Sequence, residues 1–409
     1  MTAASPTDDA RLRAYAQLVI GAGVRLREGQ ELLVHAHLDH AALARAIATE
    51  GYRAGARYVD VLYSDPWLRG ARVADGPDDV LGWTPPWMVA RLQRAIDDGA
   101  AVVGISAGSD ADVFRGLDQA RLARARFVDF ERVWQTGVME REMAWTLIAG
   151  ATPRWAQEVF GEPDVDRLWD ALGQALRLDE PDPAGAWQRR LDELDARARA
   201  MTERGFDRLR YRGPGTDLEV GLIAGARWLA GRAHTRDGHA HAANLPTEEV
   251  FTSPHRLRAD GVVRSTLPLA LRGALVEGLE LRFAGGEIVE VRAREGEDVV
   301  RGELATDDGA RRLGELALVD DSSRVGATGV TFRNTLLDEN AASHIAWGQG
   351  FSWVLGEDPP ADPAEHGVND SAIHTDFMIG SPEIEVDGID ARGAAIPLLR
   401  GGRWCDARS

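Results

Sequence analysis

An alternation of apolar, strand-like runs with helical segments is the feature that most constrains the fold of this chain. The runs at 31–38, 56–65 and 100–110 have the composition of buried strands. Between them, residues 41–56 and 85–100 carry apolar side chains at helical spacing. Strands that alternate with helices of about 10–15 residues predict βαβ units and a parallel sheet.

The pattern changes near residue 205. Residues 164–205 are predicted to be largely helical, and the short alternating runs beyond them are separated by glycine turns. The pair Gly285–Gly286 between two such runs predicts a β-hairpin. We therefore expect an α/β N-terminal domain with a parallel sheet over residues 1–205. A mainly antiparallel, β-rich α+β domain is expected over residues 206–409.

Composition excludes several kinds of chemistry. The net charge of −18 disfavours binding to nucleic acid or anionic membranes, and no apolar run reaches the roughly 20 residues of a membrane span. Cys405 is the only cysteine, which excludes an intramolecular disulfide and a thiolate zinc site. The absence of lysine excludes Schiff-base and P-loop chemistry. No secretory leader is recognisable, so we predict a cytoplasmic enzyme.

Two histidine motifs in the chain resemble metal sites. Residues 35–40 spell HxHxDH, the signature of metallo-β-lactamase-like hydrolases, but the next histidine is His234. Because that family needs further ligands downstream of the motif, we expect solvated or strand-end histidines instead. His239 and His241 form an HxH motif without a surrounding TIM-barrel pattern. For these residues too, a structural role is the favoured interpretation.

The C-terminal half offers a more coherent set of oxygen and nitrogen donors. His374 and Asp376 lie two residues apart, so a strand would place both on one face. Carboxylates and imidazoles without a thiolate are the composition of a two-metal hydrolase site. The donors fall in four segments: residues 244–254, 310–320, 336–348 and 369–380.

Two details of this set leave alternatives open. Glu315 stands in the apolar run LGELALV, where a carboxylate is costly to bury unless a cation accompanies it. The alternatives are an edge strand or a salt bridge to Arg311 or Arg312. If residues 339–348 are helical, Glu339 and His344 do not share one face closely. They could still converge if Glu339 stands at the helix start.

The segments NLPTEEVFTSP, RRLGELALVD, TLLDENAASHIAWG and IHTDFMIGS resemble the M29 peptidases, as does the early segment REGQELLVHAHLDHAALARAIATEGYRAGARYVDVLYSD. The resemblance covers nearly the whole chain. It implies a metal-dependent exopeptidase that removes N-terminal residues from small peptides with two divalent ions (zinc, cobalt or manganese). It also implies a homodimer whose active sites face an interior cavity, and the N-terminal α/β and C-terminal β-rich domains expected above.

The same resemblance implies a role for individual residues. Glu339 corresponds to an acidic position at the site, either a further ligand or a close neighbour of the ions. A hydroxide that bridges the ions would attack the scissile carbonyl, and Glu339 or Glu249 would carry the proton to the leaving amine. The implied metal ligands are Glu249, Glu315 (as the bridge), His344, His374 and Asp376.

The chain departs from the family pattern at two positions. Glu248 stands where the family has glycine, and it either adds charge beside the site or points away on the opposite strand face. Phe351 occupies the position of an active-site tyrosine, whose hydroxyl could stabilise a developing oxyanion. Losing such a donor costs roughly 10²–10³ in rate in other enzymes.

Two alternative functions follow from these residues. His344, His374 and Asp376 alone have the composition of a facial triad, which binds Fe(II) in ring-cleaving dioxygenases. Glu249 and Glu315 speak against this alternative, because a mononuclear site would not need them. An inactive metal-binding homologue is the second alternative, and it rests on Phe351 and Glu248.

Overall fold

The computed structural model describes residues 9–108 and 111–405, and the chain divides into two compact units. Unit 1 contains the chain up to Gln188 together with Arg232–Pro246. Unit 2 contains Arg189–Gly231 and the chain from Thr247 onwards. The predicted domains 1–205 and 206–409 therefore differ from these units at 189–205 and 232–246.

The stretch 232–246 joins unit 1 through backbone pairing. The amide of Leu147 donates to the carbonyl of Ala243 at 2.8 Å, and the amide of Leu245 donates to the carbonyl of Leu147 at 2.9 Å. Such long-range pairing leaves no mark on local hydrophobic periodicity. Sequence patterns therefore assign this stretch to the domain that surrounds it in the chain.

Unit 1 is built on a parallel sheet, as predicted. The sheet has the order β2-β1-β3-β4, and its neighbouring strands are parallel. The third predicted strand ends at Ser106, and residues 109 and 110 lie outside the described residues. The strands are β1 Glu31–His37, β2 Tyr58–Ser64, β3 Ala101–Ser106 and β4 Trp145–Ala149, with the short pair β8 Arg232–His234 and β9 Ala240–Ala242.

The helices of unit 1 follow local capping signals. Pro66 opens one helix and the carboxylate of Asp65 accepts a hydrogen bond from its first turn, while Thr152 caps another in the same way. The helices are α1 Ala10–Leu18, α2 Ala41–Arg53, α3 Pro66–Asp75, α4 Pro86–Asp97, α5 Ala111–Phe114, α6 Gln119–Arg124, α7 Val128–Met139, α8 Pro153–Phe160 and α9 Val165–Ala175. The helix α10 Pro183–Arg204 continues into unit 2.

Unit 2 is β-rich and antiparallel, which confirms the predicted fold class. Its strands are β5 Arg208–Gly213, β6 Thr216–Leu222, β7 Leu229–Ala230, β10 Val250–Thr252, β11 Pro254–Arg264, β12 Leu269–Leu271, β13 Ala274–Val276, β14 Glu280–Ala284, β15 Glu287–Arg292, β16 Leu313–Leu318, β17 His344–Gly348, β18 His374–Met378, β19 Glu385–Ile389, β20 Ala395–Arg400 and β21 Arg403–Trp404. Its short helices are α11 Glu297–Glu303, α12 Arg324–Ala327 and α13 Thr335–Asp338.

Two sheets form the body of unit 2. One has eight strands in the order β15-β14-β11-β6-β5-β19-β20-β21, and the other has five in the order β18-β17-β16-β10-β7. The predicted hairpin joins β14 to β15, and both Gly285 and Gly286 have positive φ, as a type I′ turn requires. Leu316, Ile345 and Phe377 of the five-stranded sheet are fully buried and belong to the apolar core that both sheets share.

Within the described residues, none of the helices has both the length and the apolar character that a bilayer crossing demands.

Candidate metal centre

The five-stranded sheet turns two imidazoles and a carboxylate to one face. In the β17–β18 pair, Ala346 lies opposite Asp376 and Gly348 lies opposite His374. His344 shares the face of Ala346 because alternate residues of a strand point to the same side. His374 and Asp376 therefore lie on the same face of β18, as their spacing in the sequence predicted.

Two further carboxylates join this face from the neighbouring strands. Glu315 of β16 lies opposite Ala346. Glu249 directly precedes β10, and its Oε2 lies 2.9 Å from Nε2 of His344. In β18, Nε2 of His374 lies 3.0 Å from Oε2 of Glu315 and 3.4 Å from Oδ1 of Asp376.

These side chains form two groups that share one residue. Glu249, Glu315 and His344 bring one donor atom each to within 4.8 Å of one another. Glu315, His374 and Asp376 do the same. The common member is Glu315, so a carboxylate with two oxygens stands between two sets of possible ligands.

The structure rules out the alternatives for Glu315. β16 lies between β17 and β10, so it is not an edge strand. Arg311 binds Glu287, and Arg312 lies 4.0 Å from the same carboxylate. Glu315 is thus buried in the sheet interior, where its carboxylate contacts His374.

Both imidazoles present Nε2 to the carboxylates. Nδ1 of His344 lies 3.2 Å from the carbonyl oxygen of Ala342, and Nδ1 of His374 lies 2.7 Å from that of Gln349. Because a carbonyl oxygen only accepts hydrogen bonds, each Nδ1 carries the proton in the neutral ring. The lone pair of Nε2 then faces a carboxylate oxygen, which is repulsive unless a proton or another cation lies between them.

Burial and mutual repulsion shift the pKa values of this cluster. Burial, together with the charges of Asp376 and Glu249, raises the pKa of Glu315 to about 7 despite the hydrogen bond from His374. Burial opposes the charged form of His344, but the carboxylates, Glu249 foremost, raise its pKa well above the usual range. The pKa of His374 is raised in the same way, chiefly by Asp376. The cluster therefore holds protons tightly when no other cation is bound.

The cluster is open to solvent at one end. The side chain of His374 is 24% exposed, whereas that of His344 is 2% exposed. The ring of Phe351 packs beside this open end, with its centroid 5.2 Å from that of His374. The amide of Phe351 donates to Oγ of Ser253 at 2.7 Å. Phenylalanine has no hydroxyl, so this side chain offers no hydrogen bond to an oxyanion.

Glu339, which the resemblance implies to be a further ligand or a close neighbour of the ions, lies outside both groups of possible ligands. The segment 339–348 is not helical: α13 ends at Asp338, and β17 begins at His344. Glu339 is buried, and its Oε1 lies 3.4 Å from Nδ2 of Asn340. Burial and the nearby charges of Asp376 and Glu249 raise its pKa well above the usual range, which places it within electrostatic reach of the cluster.

The charge of Glu248 is balanced by an arginine. Its Oε2 lies 2.6 Å from Nε of Arg190, and its Oε1 accepts from the amide of Arg324 at 3.3 Å. The side chain is fully buried. Glu248 belongs to neither group of possible ligands, and its carboxylate is directed to this ion pair.

Asn340 is a residue that the sequence analysis missed. Its Oδ1 accepts from the amide of Glu248 at 2.7 Å, and its Nδ2 donates to the carbonyl of Leu336 at 2.9 Å. It thus ties the segment before β10 to the segment after α13. Only its position between Glu339 and His344 in DENAASH could have drawn attention to it.

Among the described residues, the two histidine motifs of unit 1 show no such arrangement. Asp39 binds Arg154 at 2.8 Å, and Nε2 of His40 lies 3.0 Å from the carbonyl of Gly150. Nε2 of His239 lies 2.9 Å from the carbonyl of Val24. Of the described residues, those in unit 1 contribute to neither group of possible ligands. The contacts of these histidines therefore support a structural role.

Comparison with known proteins gives the class to which this chain belongs. The family model described as thermophilic metalloprotease (M29) matches residues 8–404. Aminopeptidase T of Thermus aquaticus is 43% identical over 400 residues, which cover 96% of this chain and 98% of that protein. Aminopeptidase 2 of Geobacillus stearothermophilus is 36% identical over 402 residues, or 96% and 97% of the two chains.

A solved structure agrees with these relatives. That of wild-type AmpT from Thermus thermophilus superposes with a TM-score of 0.89 at 41% identity, covering 97% of this chain and 99% of that one. The family match over nearly the whole chain, together with relatives that are aminopeptidases, identifies the class of this chain as hydrolytic metallo-exopeptidases. The chain belongs to the M29 family of metalloproteases. The resemblance noted from the sequence is thereby confirmed.

Proposed function

We propose that unit 2 binds two divalent ions and removes N-terminal residues from small peptides. Glu249, Glu315 and His344 would hold one ion, and Glu315, His374 and Asp376 would hold the other. The observation that carries the proposal is the sharing of Glu315 between the two groups. The two oxygens of one carboxylate can serve two neighbouring cations at once, as in two-metal hydrolase sites.

The residues present fit such ions. Oε2 of Glu249 and Oδ1 of Asp376 are buried, and each faces Nε2 of an imidazole, at 2.9 Å from His344 and 3.4 Å from His374. Burying several carboxylates beside the lone pairs of neutral imidazoles is costly, and cations in the cluster would remove that cost. Nε2 of each imidazole is already directed at the carboxylates by the hydrogen bond at Nδ1. Oxygen and imidazole donors without thiolate suit zinc, manganese or cobalt.

The chemistry follows from the charges. Divalent ions in such a site polarise a carbonyl and lower the pKa of water. Glu339, buried within electrostatic reach of the cluster but in neither ligand group, would accept a proton from water and deliver it to the leaving amine. The acidic surroundings favour the positively charged α-amine of a peptide over an internal peptide bond. Phe351 contributes no oxyanion donor, so we expect slower turnover than with a tyrosine there.

The experiment that tests this proposal combines metal analysis with activity. The chain is stripped with a chelator, reloaded with zinc, manganese or cobalt, and assayed on dipeptides and amino-acid p-nitroanilides. We expect about two ions per chain and metal-dependent release of the N-terminal residue.

Glu315→Gln keeps the shape of the side chain but removes its charge, so it should lose both ions and at least 10³-fold in kcat/KM. Glu290→Gln, at an exposed pair with Arg282, is the matched control and should retain both. A Glu315→Gln protein that keeps two ions and full activity contradicts the proposal.

The two alternative functions have distinct signatures. A dioxygenase would take up oxygen after anaerobic iron loading, and this alternative is not favoured because the reported relatives are aminopeptidases and Glu249 and Glu315 lie in the cluster. An inactive homologue would bind metal yet turn over no p-nitroanilide.

From the resemblance to the family and the sequence composition we also propose a homodimer that works in the cytoplasm. Light scattering on the purified, metal-loaded chain tests the oligomeric state, and a mass of one chain would contradict it.

A further inference from the structure

Three aromatic side chains form a group beside the candidate metal centre, and we call Phe251, Phe351 and Trp353 the aromatic shelf. The ring centroids of Phe251 and Phe351 are 5.4 Å apart at an interplanar angle of 69°, and those of Phe351 and Trp353 are 5.0 Å apart at 55°. Both arrangements are among the favourable ones for aromatic pairs. All three side chains are only half-buried, so part of the shelf is not covered by the described residues.

The shelf lies on the same side of the sheet as the candidate ligands. Phe251 of β10 is directly opposite Ala317 of β16, and Glu315 is two residues away from Ala317 on the same strand. Residues opposite one another, and alternate residues of one strand, share a face. Phe251 and Glu315 therefore project from the same face, and the residue between them on that face is a small alanine.

The backbone that carries the shelf is held in place. The amide of Phe351 is bound by Ser253, and the amide of Arg227 donates to the carbonyl of Val354 at 2.7 Å. The guanidinium of Arg227 also donates to the carbonyl of Trp353 at 3.1 Å. A surface fixed before binding loses little conformational entropy when a ligand packs against it.

The position of the shelf determines which part of a substrate can pack against it. His374 is the candidate ligand most exposed to solvent, and Phe351 packs against its ring. In an aminopeptidase substrate, the scissile carbonyl belongs to the first residue, whose side chain branches one carbon away. A carbonyl that reaches the metal centre from the open end therefore brings this side chain next to His374 and the shelf.

We propose that the aromatic shelf binds the side chain of the N-terminal residue of the substrate and selects peptides that begin with an aromatic or large aliphatic residue. This inference rests on the proposed function and adds its substrate class. The shelf residues carry no charge, so a charged first side chain would lose water there without gaining a partner. A methyl side chain would leave the ring faces uncovered.

The test is a comparison of kcat/KM for the p-nitroanilides of phenylalanine, leucine, alanine and glutamate. For the unchanged protein we expect phenylalanine and leucine to exceed alanine and glutamate by at least tenfold, in line with what apolar pockets achieve. In Phe251→Ala and in Trp353→Leu, the ratio of phenylalanine to alanine should fall at least fivefold while metal content stays that of the unchanged protein. Phe251→Tyr should largely restore the ratio.

Ile396→Ala, at an exposed apolar side chain of β20, is the matched control and should not alter the ratio. If Phe251→Ala fails to fold, Phe251→Leu and Trp353→Leu give the same readout with less loss of volume. A uniform fall on all four substrates, or a ratio that does not change, overturns the shelf and leaves the aminopeptidase proposal standing. Absence of metal-dependent turnover in the unchanged protein overturns the proposed function, and the shelf with it.

Discussion

The histidines of unit 1 and those of unit 2 have opposite surroundings. In unit 1, burial lowers the pKa of His40 to about 4, and the neighbouring Asp39 is bound to Arg154. In unit 2, carboxylates outweigh burial and raise the pKa values of His344 and His374 well above the usual range. The sequence motif around His40 looks more like a metal site, yet among the described residues it is His344 and His374 that lie in groups of possible metal ligands.

Neighbouring carboxylates in unit 2 repeat the contrast. Glu248 is matched by the permanent charge of Arg190, whereas Oε2 of Glu249 faces Nε2 of His344 at 2.9 Å. A buried charge that the protein has already paired cannot attract a metal ion strongly. What distinguishes a metal centre is the excess of buried negative charge, more than the spacing of ligand types.

The largest expected effect compares histidines from the two units. His374→Ala removes a candidate ligand, so we expect loss of bound metal and at least a 10³-fold fall in kcat/KM. His37→Ala, in the HxHxDH motif, should change both by less than twofold. Metal analysis and p-nitroanilide assays on the two variants decide the matter. Loss of metal from the His37 variant would erase the difference between the units.

The ion pair of Glu248 gives the next effect. Arg190→Ala leaves a fully buried carboxylate without its partner, which typically costs about 3–5 kcal/mol of unfolding free energy. Arg282→Ala breaks an exposed pair with Glu290 and should cost less than about 1 kcal/mol. Urea unfolding at neutral pH measures both. Equal losses would show that Glu248 is less dependent on its partner than its burial indicates.

Acid should destabilise unit 1 through its buried histidines. Burial lowers the pKa of His241 to about 4. Between pH 6.5 and 4 the unfolded chain therefore takes up a proton that the folded chain does not, and stability falls as the pH falls. The loss for this one residue is roughly 3 kcal/mol at most. His241→Leu should flatten the dependence of unfolding free energy on pH by that amount, with pH 8 as the reference. An unchanged slope would show that His241 does not titrate in this way.

Metal binding in unit 2 should also be coupled to protons, because the candidate ligands themselves hold protons when no ion is bound. The pKa of Glu315 is about 7 in the protein without ions, and those of His344 and His374 are raised. Ions must displace these protons, so affinity should fall about tenfold per pH unit for each proton released as the pH drops below 7. Calorimetry in two buffers of different ionisation enthalpy counts the protons. Binding without proton release would mean that the ions lie elsewhere.

Much of the fold could be predicted because local signals agree with it. The strands β1, β2 and β3, the helices α2 and α4 and the glycine hairpin follow from periodicity and turn chemistry, and the structure confirms them. The boundary between the two units was harder to predict from the sequence. The stretch 232–246 pairs with Leu147, and backbone pairing over such a distance has no local pattern.

The candidate site was predictable by residue type and only partly by arrangement. Glu249, Glu315, His344, His374 and Asp376 were singled out from the sequence and are brought together, and their role as ligands remains a prediction. Glu339 was expected as a further ligand or a close neighbour of the ions; it belongs to neither group of possible ligands, and its role remains a prediction. Asn340 and the shelf residue Phe251 were missed because an amide and a phenylalanine carry no catalytic signature by themselves.

The sequence alone determined which chemical groups this protein has: carboxylates and imidazoles in the second half, no lysine and a single cysteine. It also determined the order of strands and helices, because these depend on short-range spacing. Only the tertiary structure decided which carboxylates meet an arginine and which are left to face an imidazole. That outcome depends on strand register between segments far apart in the chain, and burial gives such pairs their energy only once the fold has formed.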